Sequence, residues 1–177
     1  MEKLSMAALG RLSPADFKSR PKLPLTLVLD SVRSGLNVGS IFRTADAFAL
    51  ERILLCGITA QPPHREILKT ALGSTDSVDW AYFPDATEAV RTLKNEDYTV
   101  LAIEQATEKI WLQDFSPEKE KRYAFVLGNE VDGVAAETLA LCDGALEIPQ
   151  FGTKHSLNVA VAAGIVVWEF VRKMGER

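Results

Sequence analysis

The sequence contains few of the residues that build disulfide frameworks and metal centres. Only two cysteines and two histidines occur among its 177 residues. Cys56 and Cys142 are far apart, and each lies among apolar neighbours, which is typical of buried free thiols in a reducing compartment. We therefore expect no disulfide, no metal site and a cytoplasmic location.

Long apolar runs and the common nucleotide-binding motifs are also missing. The sequence shows no charged-then-apolar leader and no apolar run long enough to cross a bilayer, so we expect no membrane partner. No G-x-x-x-x-G-K-[ST] loop occurs, and no G-x-G-x-x-G follows the first predicted strand. These absences disfavour ATP-dependent and dinucleotide-dependent enzymes.

An overall excess of positive charge, on which nucleic-acid binding draws, is absent as well. The net charge is −4, but residues 1–24 hold five basic and two acidic side chains. We predict a helical, basic N-terminal extension over residues 1–24, with a first helix at Lys3–Leu9; a solvated tail without a partner is the alternative. Other basic residues fall in segments that we predict to be functional, namely Arg33, Arg43, Lys154 and His155.

Strands and helices alternate along residues 25–177, which predicts one α/β domain with a mostly parallel sheet and helices on both faces. Leu25–Leu29, for example, is a continuous apolar run typical of a strand covered on both sides. Ligands of such sheets bind at the carboxyl ends of the strands. Polar segments follow four of the predicted strands, at residues 30–37, 104–107, 128–133 and 149–158.

The segment NVGSIFRTADAF, which starts at Asn37, predicts a helix with Asn37 as its N-cap. Because helical side chains lean toward the N-terminus, the Arg43 guanidinium can swing back toward the strand ends that Asn37 faces. Gly39 precedes Arg43 by four residues on the same face and leaves room there for something bulky. The alternative is a helix cap and an ordinary surface arginine.

The segment FVLGNEVDG, from Phe125 to Gly133, ends a buried strand in a polar turn. Gly128 and Gly133 permit close backbone approach or a positive φ, and Asn129 and Glu130 add an amide and a carboxylate at the strand end. A simple turn before a helix would account for the same residues.

A third segment runs from a strand ending at Ile148 through a polar turn into a long helix. Ser156 and Asn158 are residue types that cap a helix start. The helix, from Asn158 to about Lys173, is apolar nearly all round until Glu169. At roughly 24 Å it is too short to span a bilayer, so we predict a core helix without an exposed apolar face.

Together the three segments resemble, in order and spacing, the signature motifs of the SpoU (TrmH-type) branch of the SPOUT RNA methyltransferases. The third motif reads IPQFGTKHSLNVAVAAGIVVWE from Ile148, and minor matches are KTALGS from Lys69 and IEQAT from Ile103. The resemblance covers about residues 25–172. It implies a ribose 2′-O-methyltransferase that uses S-adenosylmethionine, a SPOUT-type fold with a C-terminal trefoil knot, and a homodimer that binds RNA.

The resemblance also implies site residues by position. The catalytic positions are Arg43, Asn37, Glu130, Ser156 and Asn158. The cofactor contacts are Glu104, Gln105, Leu127, Gly128, Ile148 and Leu157. The RNA-binding positions are Arg33, Arg43, Lys154 and His155. Because arginine retains its proton in proteins, we hypothesise that Arg43 hydrogen-bonds the ribose oxygen and adjacent phosphate instead of acting as the base.

Two departures from the commoner family pattern favour tRNA over rRNA as the substrate. Gln150 stands where many relatives have Met, and Gln there resembles the branch that acts on tRNA guanosine. We also expect no separate N-terminal RNA-binding domain of the kind found in many ribosomal-RNA members. Two other hypotheses stay open: a non-catalytic RNA-binding protein of the same fold, and a flavodoxin-like nucleotide binder.

Overall fold

The computed structural model describes residues 3–5, 8, 10, 12–154 and 156–175. Within them lie seven strands: β1 Leu23–Asp30, β2 Leu50–Cys56, β3 Asp79–Phe83, β4 Tyr98–Ile103, β5 Ile110–Trp111, β6 Arg122–Leu127 and β7 Gly144–Glu147. The same residues form seven helices: α1 Pro14–Ser19, α2 Gly35–Ala47, α3 Arg65–Ala71, α4 Ser74–Ser77, α5 Ala86–Asn95, α6 Ala136–Leu139 and α7 Val159–Met174.

The strands form a single sheet in the order β3-β2-β1-β6-β4-β7-β5. All six pairings among the described residues are parallel, which confirms the predicted sheet type. Because neighbouring parallel strands end at the same edge, the loops that follow β1, β4, β6 and β7 emerge side by side. The trefoil knot and the domain division at residue 24 stay predictions, although β1 already begins at Leu23.

Helices cover both faces of the sheet, as predicted, because the strand side chains alternate between two apolar clusters. Along β6, Tyr123 and Phe125 pack into the cluster that contains α2, α3 and α7. Ala124 and Val126 pack into the opposite cluster, which contains α5 and the partly buried Leu139 of α6. The central strands are therefore dry on both sides, and polar groups concentrate at the strand ends.

The last helix differs from the prediction of a helix buried all round. One side of α7 packs into the core through Ala163, Val166, Val167 and Phe170. The other side exposes Val161, Ile165 and Trp168, which recur at helical spacing. We call these three residues the α7 face. Periodicity could not predict an exposed face here, because apolar residues occupy both sides of the helix.

Three local predictions also differ from the structure. The N-cap of α2 is Ser34, whose Oγ accepts a 3.3 Å hydrogen bond from the Asn37 amide, so α2 starts two residues before Asn37. The predicted loop between β4 and β6 contains the short edge strand β5. The described residues of the predicted Lys3–Leu9 helix are not helical, whereas Met6, Ala7 and Leu9 lie outside the described residues.

Among the described residues, none of the helices combines the length and the apolar character that crossing a membrane requires. Both cysteines are free thiols, with Cys56 buried and Cys142 partly exposed. Burial raises the pKa of Cys56 to about 12 and that of Cys142 to about 11, with further contributions from Asp30 and Asp143 respectively. Both thiols therefore stay protonated at neutral pH, and neither is a good nucleophile.

Candidate active site

A cavity of about 560 Å³ opens at the carboxyl ends of β4, β6 and β7. Its apolar wall comes from strand ends and the start of α7, including Ile103, Leu127, Leu146, Ile148, Leu157 and Val159. Its polar wall includes Glu104, Gln105, Asn129, Glu130, Asp132, Glu147, Gln150, Ser156 and Asn158. Every predicted cofactor-contact position lines this cavity, and so do three of the five predicted catalytic positions.

Hydrogen bonds join the three motif segments beside the cavity. Asn37 Nδ2 donates to Glu130 Oε1 at 3.0 Å, across 93 positions of the sequence. Asn158 Nδ2 donates to Asn37 Oδ1 at 3.1 Å. Asn37, Glu130 and Asn158, three of the residues singled out in the sequence, are thus brought together by the fold.

The direction of this hydrogen-bond chain follows from the helix start at α7. Asn158 caps α7 with Oδ1, which accepts from the amides of Ala160 and Val161 at 2.9 and 3.3 Å. Its Nδ2 is therefore left to donate, Asn37 must offer Oδ1, and the Nδ2 of Asn37 then faces Glu130. An ionised carboxylate can only accept hydrogen bonds, so the Glu130 side chain is a suitable last acceptor in this chain of hydrogen bonds.

Glu130 is held in its ionised form. Burial opposes ionisation, but hydrogen bonds from Asn37 and from the backbone amides of Arg33 and Ser34 outweigh it and lower the pKa of Glu130. The two backbone amides lie 3.2 and 3.4 Å from the carboxylate oxygens. Glu130 therefore anchors the loop after β1 and is a poor proton acceptor at neutral pH.

Glu104 braces the turn that carries Glu130. Its Oε2 accepts from the Val134 amide at 2.9 Å, and its Oε1 accepts from the Gln105 amide at 2.8 Å. Gly133 has φ +71°, and a Cβ there would lie 2.2 Å from Glu104 Oε2. A Cβ on Gly128 would lie 1.9 Å from the Gly133 carbonyl carbon. Both glycines are thus required by the fold of the turn itself.

Sequence reasoning missed Asp30, a nearly buried carboxylate at the end of β1. Its Oδ2 accepts a 3.1 Å hydrogen bond from the Ala135 amide, which ties β1 to the chain that leaves the Glu130 turn. A charged residue directly after the apolar run of β1 was the available signal. Glu147 was missed as well; it lines the cavity and pairs with Lys109 at 2.9 Å.

Arg43 does not line this cavity in its own chain. It is exposed on α2 and lines a second depression of about 490 Å³ together with Lys69, Thr70, Leu72 and Phe48. The space beside Gly39 is filled by α3, because a Cβ there would lie 2.2 Å from Thr70 Oγ1 and 2.3 Å from the Ile67 carbonyl oxygen. The room that the missing side chain of Gly39 leaves is therefore occupied by α3, and the glycine permits close packing of two helices.

The remaining predicted RNA contacts lie in the loops that follow β1 and β7 or outside the described residues. The side chains of Arg33 and Lys154 are exposed, and Ser156 and Leu157 line the cavity itself. His155 lies outside the described residues. Within the described part of the chain, no group of three or more His, Cys, Asp or Glu side chains is placed to hold a metal ion.

Comparison with known proteins identifies the class to which this fold and cavity belong. The family model described as the SpoU rRNA methylase family matches residues 24–168. The chain belongs to this family.

The curated relatives of this chain include proteins named for methylation of tRNA and proteins named for methylation of rRNA. The chain is 35% identical over 150 residues to the tRNA (guanosine(18)-2′-O)-methyltransferase of Thermus thermophilus, covering 84% of this chain and 75% of that protein. It is 30% identical over 150 residues to the 23S rRNA (guanosine-2′-O-)-methyltransferase RlmB of Neisseria meningitidis, covering 85% of this chain but 59% of that relative's length.

Among solved structures, an AdoMet-bound rRNA methyltransferase from Sinorhizobium meliloti superposes with a TM-score of 0.78 at 28% identity. The match covers 92% of this chain and 61% of that one. This chain therefore spans about three fifths of the length of the ribosomal-RNA relatives that it matches.

Proposed function

We propose that the protein transfers a methyl group from S-adenosylmethionine to a ribose 2′-hydroxyl of tRNA or rRNA. The observation that carries this proposal is the hydrogen-bond chain from Glu130 through Asn37 to Asn158, because it draws all three family motifs to one cavity. The proposed site of action is the cytoplasm, which suits an RNA substrate and two free thiols.

The cavity fits S-adenosylmethionine in size and in chemistry. Its volume of about 560 Å³ lies within the range of small-molecule sites, and strand-end leucines and isoleucines offer an apolar slot for an adenine ring. Four carboxylates and no lysine or arginine stand among its described lining residues, which suits a cationic sulfonium. When bound, the cofactor supplies an electrophilic methyl group.

Each residue then has a positional task. Leu127, Ile148 and Leu157 exclude water from the cofactor slot, and the backbone at the strand ends offers hydrogen-bonding groups. Glu130 and Asn37 hold the loop after β1 against the start of α7. Ser156 lines the cavity beside Asn158, where its hydroxyl can orient the ribose that is to be methylated.

The distance of Arg43 from the cavity supports a homodimer in which each site draws on both copies. The first turn of α7 lines the cavity, and Trp168 further along α7 packs on Phe48 with ring centroids 6.1 Å apart. Phe48 in turn lines the Arg43 depression. The helix α7 therefore runs from the cavity to Phe48 at the Arg43 depression, and two-fold pairing through the α7 face would bring a partner's Arg43 toward the cavity.

Arg43 from the partner copy would then hydrogen-bond the ribose oxygen and the adjacent phosphate. As the oxygen takes the methyl group from the sulfonium, its proton would pass to water or to that phosphate. A guanidinium suits this task because it keeps its charge and donates several hydrogen bonds in one plane. Arg33 and Lys154, both exposed in the loops that follow β1 and β7, add positive charge for flanking phosphates. Gln150 favours tRNA, and the relatives named above act on guanosine, which makes guanosine the first nucleotide to test.

Methyl transfer from radiolabelled S-adenosylmethionine tests the proposal. The purified protein is incubated with tRNA and rRNA from a strain that lacks the gene, and the product is digested to nucleosides to locate the label on the ribose. We expect Arg43→Ala to abolish transfer, whereas Arg91→Ala, on the opposite face of the sheet, retains it. Cofactor and RNA binding without any transfer would instead support the non-catalytic alternative.

The dimer is tested separately. Trp168→Glu places a charge in the α7 face and is expected to yield a monomer in light scattering coupled to gel filtration. The control is Ile110→Glu, at an exposed apolar position on the edge strand β5, which should leave the dimer intact. A wild-type protein that is monomeric at micromolar concentration would overturn the shared site.

A further inference from the structure

One phenylalanine differs from all the others in its surroundings. Phe151 is 97% exposed, whereas the other seven phenylalanines of the chain are buried or half-buried. An aromatic ring left in water loses the hydrophobic stabilisation that the remaining seven gain. Single exposed apolar residues are common on protein surfaces, but a fully exposed ring offers a large apolar face to any ligand that binds beside it.

The position of Phe151 connects it with the candidate active site. It lies in the loop between Gln150 and Ser156, both of which line the cavity. Two more exposed apolar residues, Val131 and Leu157, line the cavity wall. Phe151 does not line the cavity itself, but it belongs to a loop whose two ends do.

The neighbours of Phe151 favour RNA over protein as the occupant. Gly152, Thr153 and Lys154 follow it directly, and all are exposed. Lysine is depleted in the cores of protein interfaces but contributes strongly to phosphate binding. The α7 face, which we assign to the second copy, is by contrast composed of apolar side chains.

We propose that Phe151 is a stacking platform for a nucleobase, that of the methylated nucleotide or its immediate neighbour, and that Lys154 pairs with the adjoining phosphate. Sequence-tolerant recognition of unpaired RNA commonly uses an aromatic ring beside a basic side chain. A base that leaves its helix to expose its ribose loses its stacking partners, and the phenyl ring replaces one of them. This inference rests on the proposed function and adds how the RNA is gripped.

The proposal is tested by substitutions that distinguish the effect of an aromatic ring from that of any apolar side chain. Phe151→Leu keeps an apolar side chain and loses the planar face, whereas Phe151→Tyr keeps the face. We expect Phe151→Leu to raise the KM for the RNA by about 5-fold to 100-fold, because removal of one stacking ring has effects of this order. Phe151→Tyr should stay within about twofold of wild type, and the cofactor Kd should be unchanged in both variants.

A spectroscopic measurement adds a direct readout. Phe151→Trp introduces a fluorescent ring, whose emission is obtained by subtracting the wild-type signal. Binding of tRNA that accepts the methyl group should quench this emission, whereas S-adenosylmethionine alone should leave it unchanged. Tyr82→Leu is the matched control, because it removes an exposed ring from β3 at the far edge of the sheet and should leave the KM unchanged.

The possible failures are distinguishable. If the wild-type protein transfers no methyl group to any RNA, the proposed function falls and this inference with it. If the wild type is active and Phe151→Leu behaves like Phe151→Tyr, only the stacking role is overturned. A shift of Phe151→Leu from dimer to monomer in light scattering would overturn it too, because Phe151 would then be covered by the second copy.

Discussion

Asn158 donates a 3.1 Å hydrogen bond to Asn37 across 121 positions of the sequence. The bond joins the start of α7 to the first turn of α2, and through Asn37 it reaches Glu130. Asn37 accepts from Asn158 and donates to Glu130, so a residue here that can only accept loses the bond to Glu130 and faces its carboxylate. The chain from Glu130 to Asn158 is therefore sensitive to changes that preserve size and shape.

Asn37→Asp tests this sensitivity with a nearly isosteric change. The new carboxylate cannot donate to Glu130 and repels it, so we expect cofactor affinity and methyl transfer to fall by at least about tenfold, the scale of a hydrogen bond to a charged group. Titration calorimetry and the transfer assay provide the measurements.

The double variant Asn37→Asp with Glu130→Gln supplies the control. The amide introduced by Glu130→Gln would donate to the new carboxylate, and Asn158 could still donate to it, so part of the lost affinity should return. If the double variant is no better than the single one, hydrogen-bond polarity is not what matters at Asn37.

Mixed dimers test which copy supplies Arg43. Arg43→Ala and Asn158→Ala should each be inactive alone. After subunits are mixed and exchanged at equal amounts, one site in each heterodimer would combine an intact Asn158 with the partner's intact Arg43. We therefore expect about a quarter of the wild-type activity, given random pairing of two-fold dimers.

The alternative outcome of the mixing experiment is equally clear. If Arg43 serves the cavity of its own chain, no site in the heterodimer is complete and mixing restores nothing. Subunit exchange itself is followed by mass spectrometry of differently tagged copies, so that a lack of activity is not confused with a lack of mixing.

The fold was largely predictable because its signals are local. Apolar runs such as Leu25–Leu29 mark strands that are dry on both faces, and residues such as Asp85 and Asn158 mark helix starts by their capping chemistry. Strand β5 escaped detection because its two residues, Ile110 and Trp111, are too few to show any alternation.

The candidate site was less predictable, because its geometry depends on contacts between distant segments. Serine and asparagine both suit the N-cap of a helix, so the sequence could not show which of Ser34 and Asn37 caps α2. Ser34 takes the cap, and the Asn37 side chain reaches Glu130 instead. The crowding of Gly39 by α3 is likewise invisible in the sequence, since a glycine admits a ligand or a backbone equally well. The roles assigned to the site residues stay predictions until they are tested by substitution.

A pair of glycines tests the close contact between α2 and α3. Gly39→Ala would force Thr70 and the Ile67 carbonyl away from the new methyl group, and overpacking of this kind costs about 1–3 kcal/mol. In Gly164→Ala, inside α7, no described residue apart from the backbone of the adjoining helical turns lies within 4 Å of the new methyl group, so this change should be less destabilising than Gly39→Ala. Urea denaturation of both variants measures the two free energies; equal values would contradict the proposed crowding.

Stability should depend on pH through Glu169 near the end of α7. Hydrogen bonds from Arg172, with Lys173 adding to them, lower the pKa of Glu169 from 4.5 to about 2. Its ionised form therefore stabilises the folded state above about pH 4.5, and this contribution is lost as the pH falls toward 2. Glu169→Gln should reduce the free energy of unfolding by roughly 0.2–1 kcal/mol at pH 7.

The difference between wild type and Glu169→Gln should then shrink as the pH is lowered from 5 to 3. Urea denaturation at a series of pH values follows it. A difference that stays constant over this range would mean that the carboxylate contributes through packing and not through its charge.

The hydrogen bond between Asn37 and Asn158 also has a consequence for biosynthesis. Residues 121 positions apart must meet before the cavity is complete, and the central strands β1 and β6 already pair across roughly a hundred positions. If the cavity binds S-adenosylmethionine as proposed, a nascent chain would acquire this site only after α7 has left the ribosome. Under the proposed function, methyl transfer would therefore begin only after the whole domain has been synthesised.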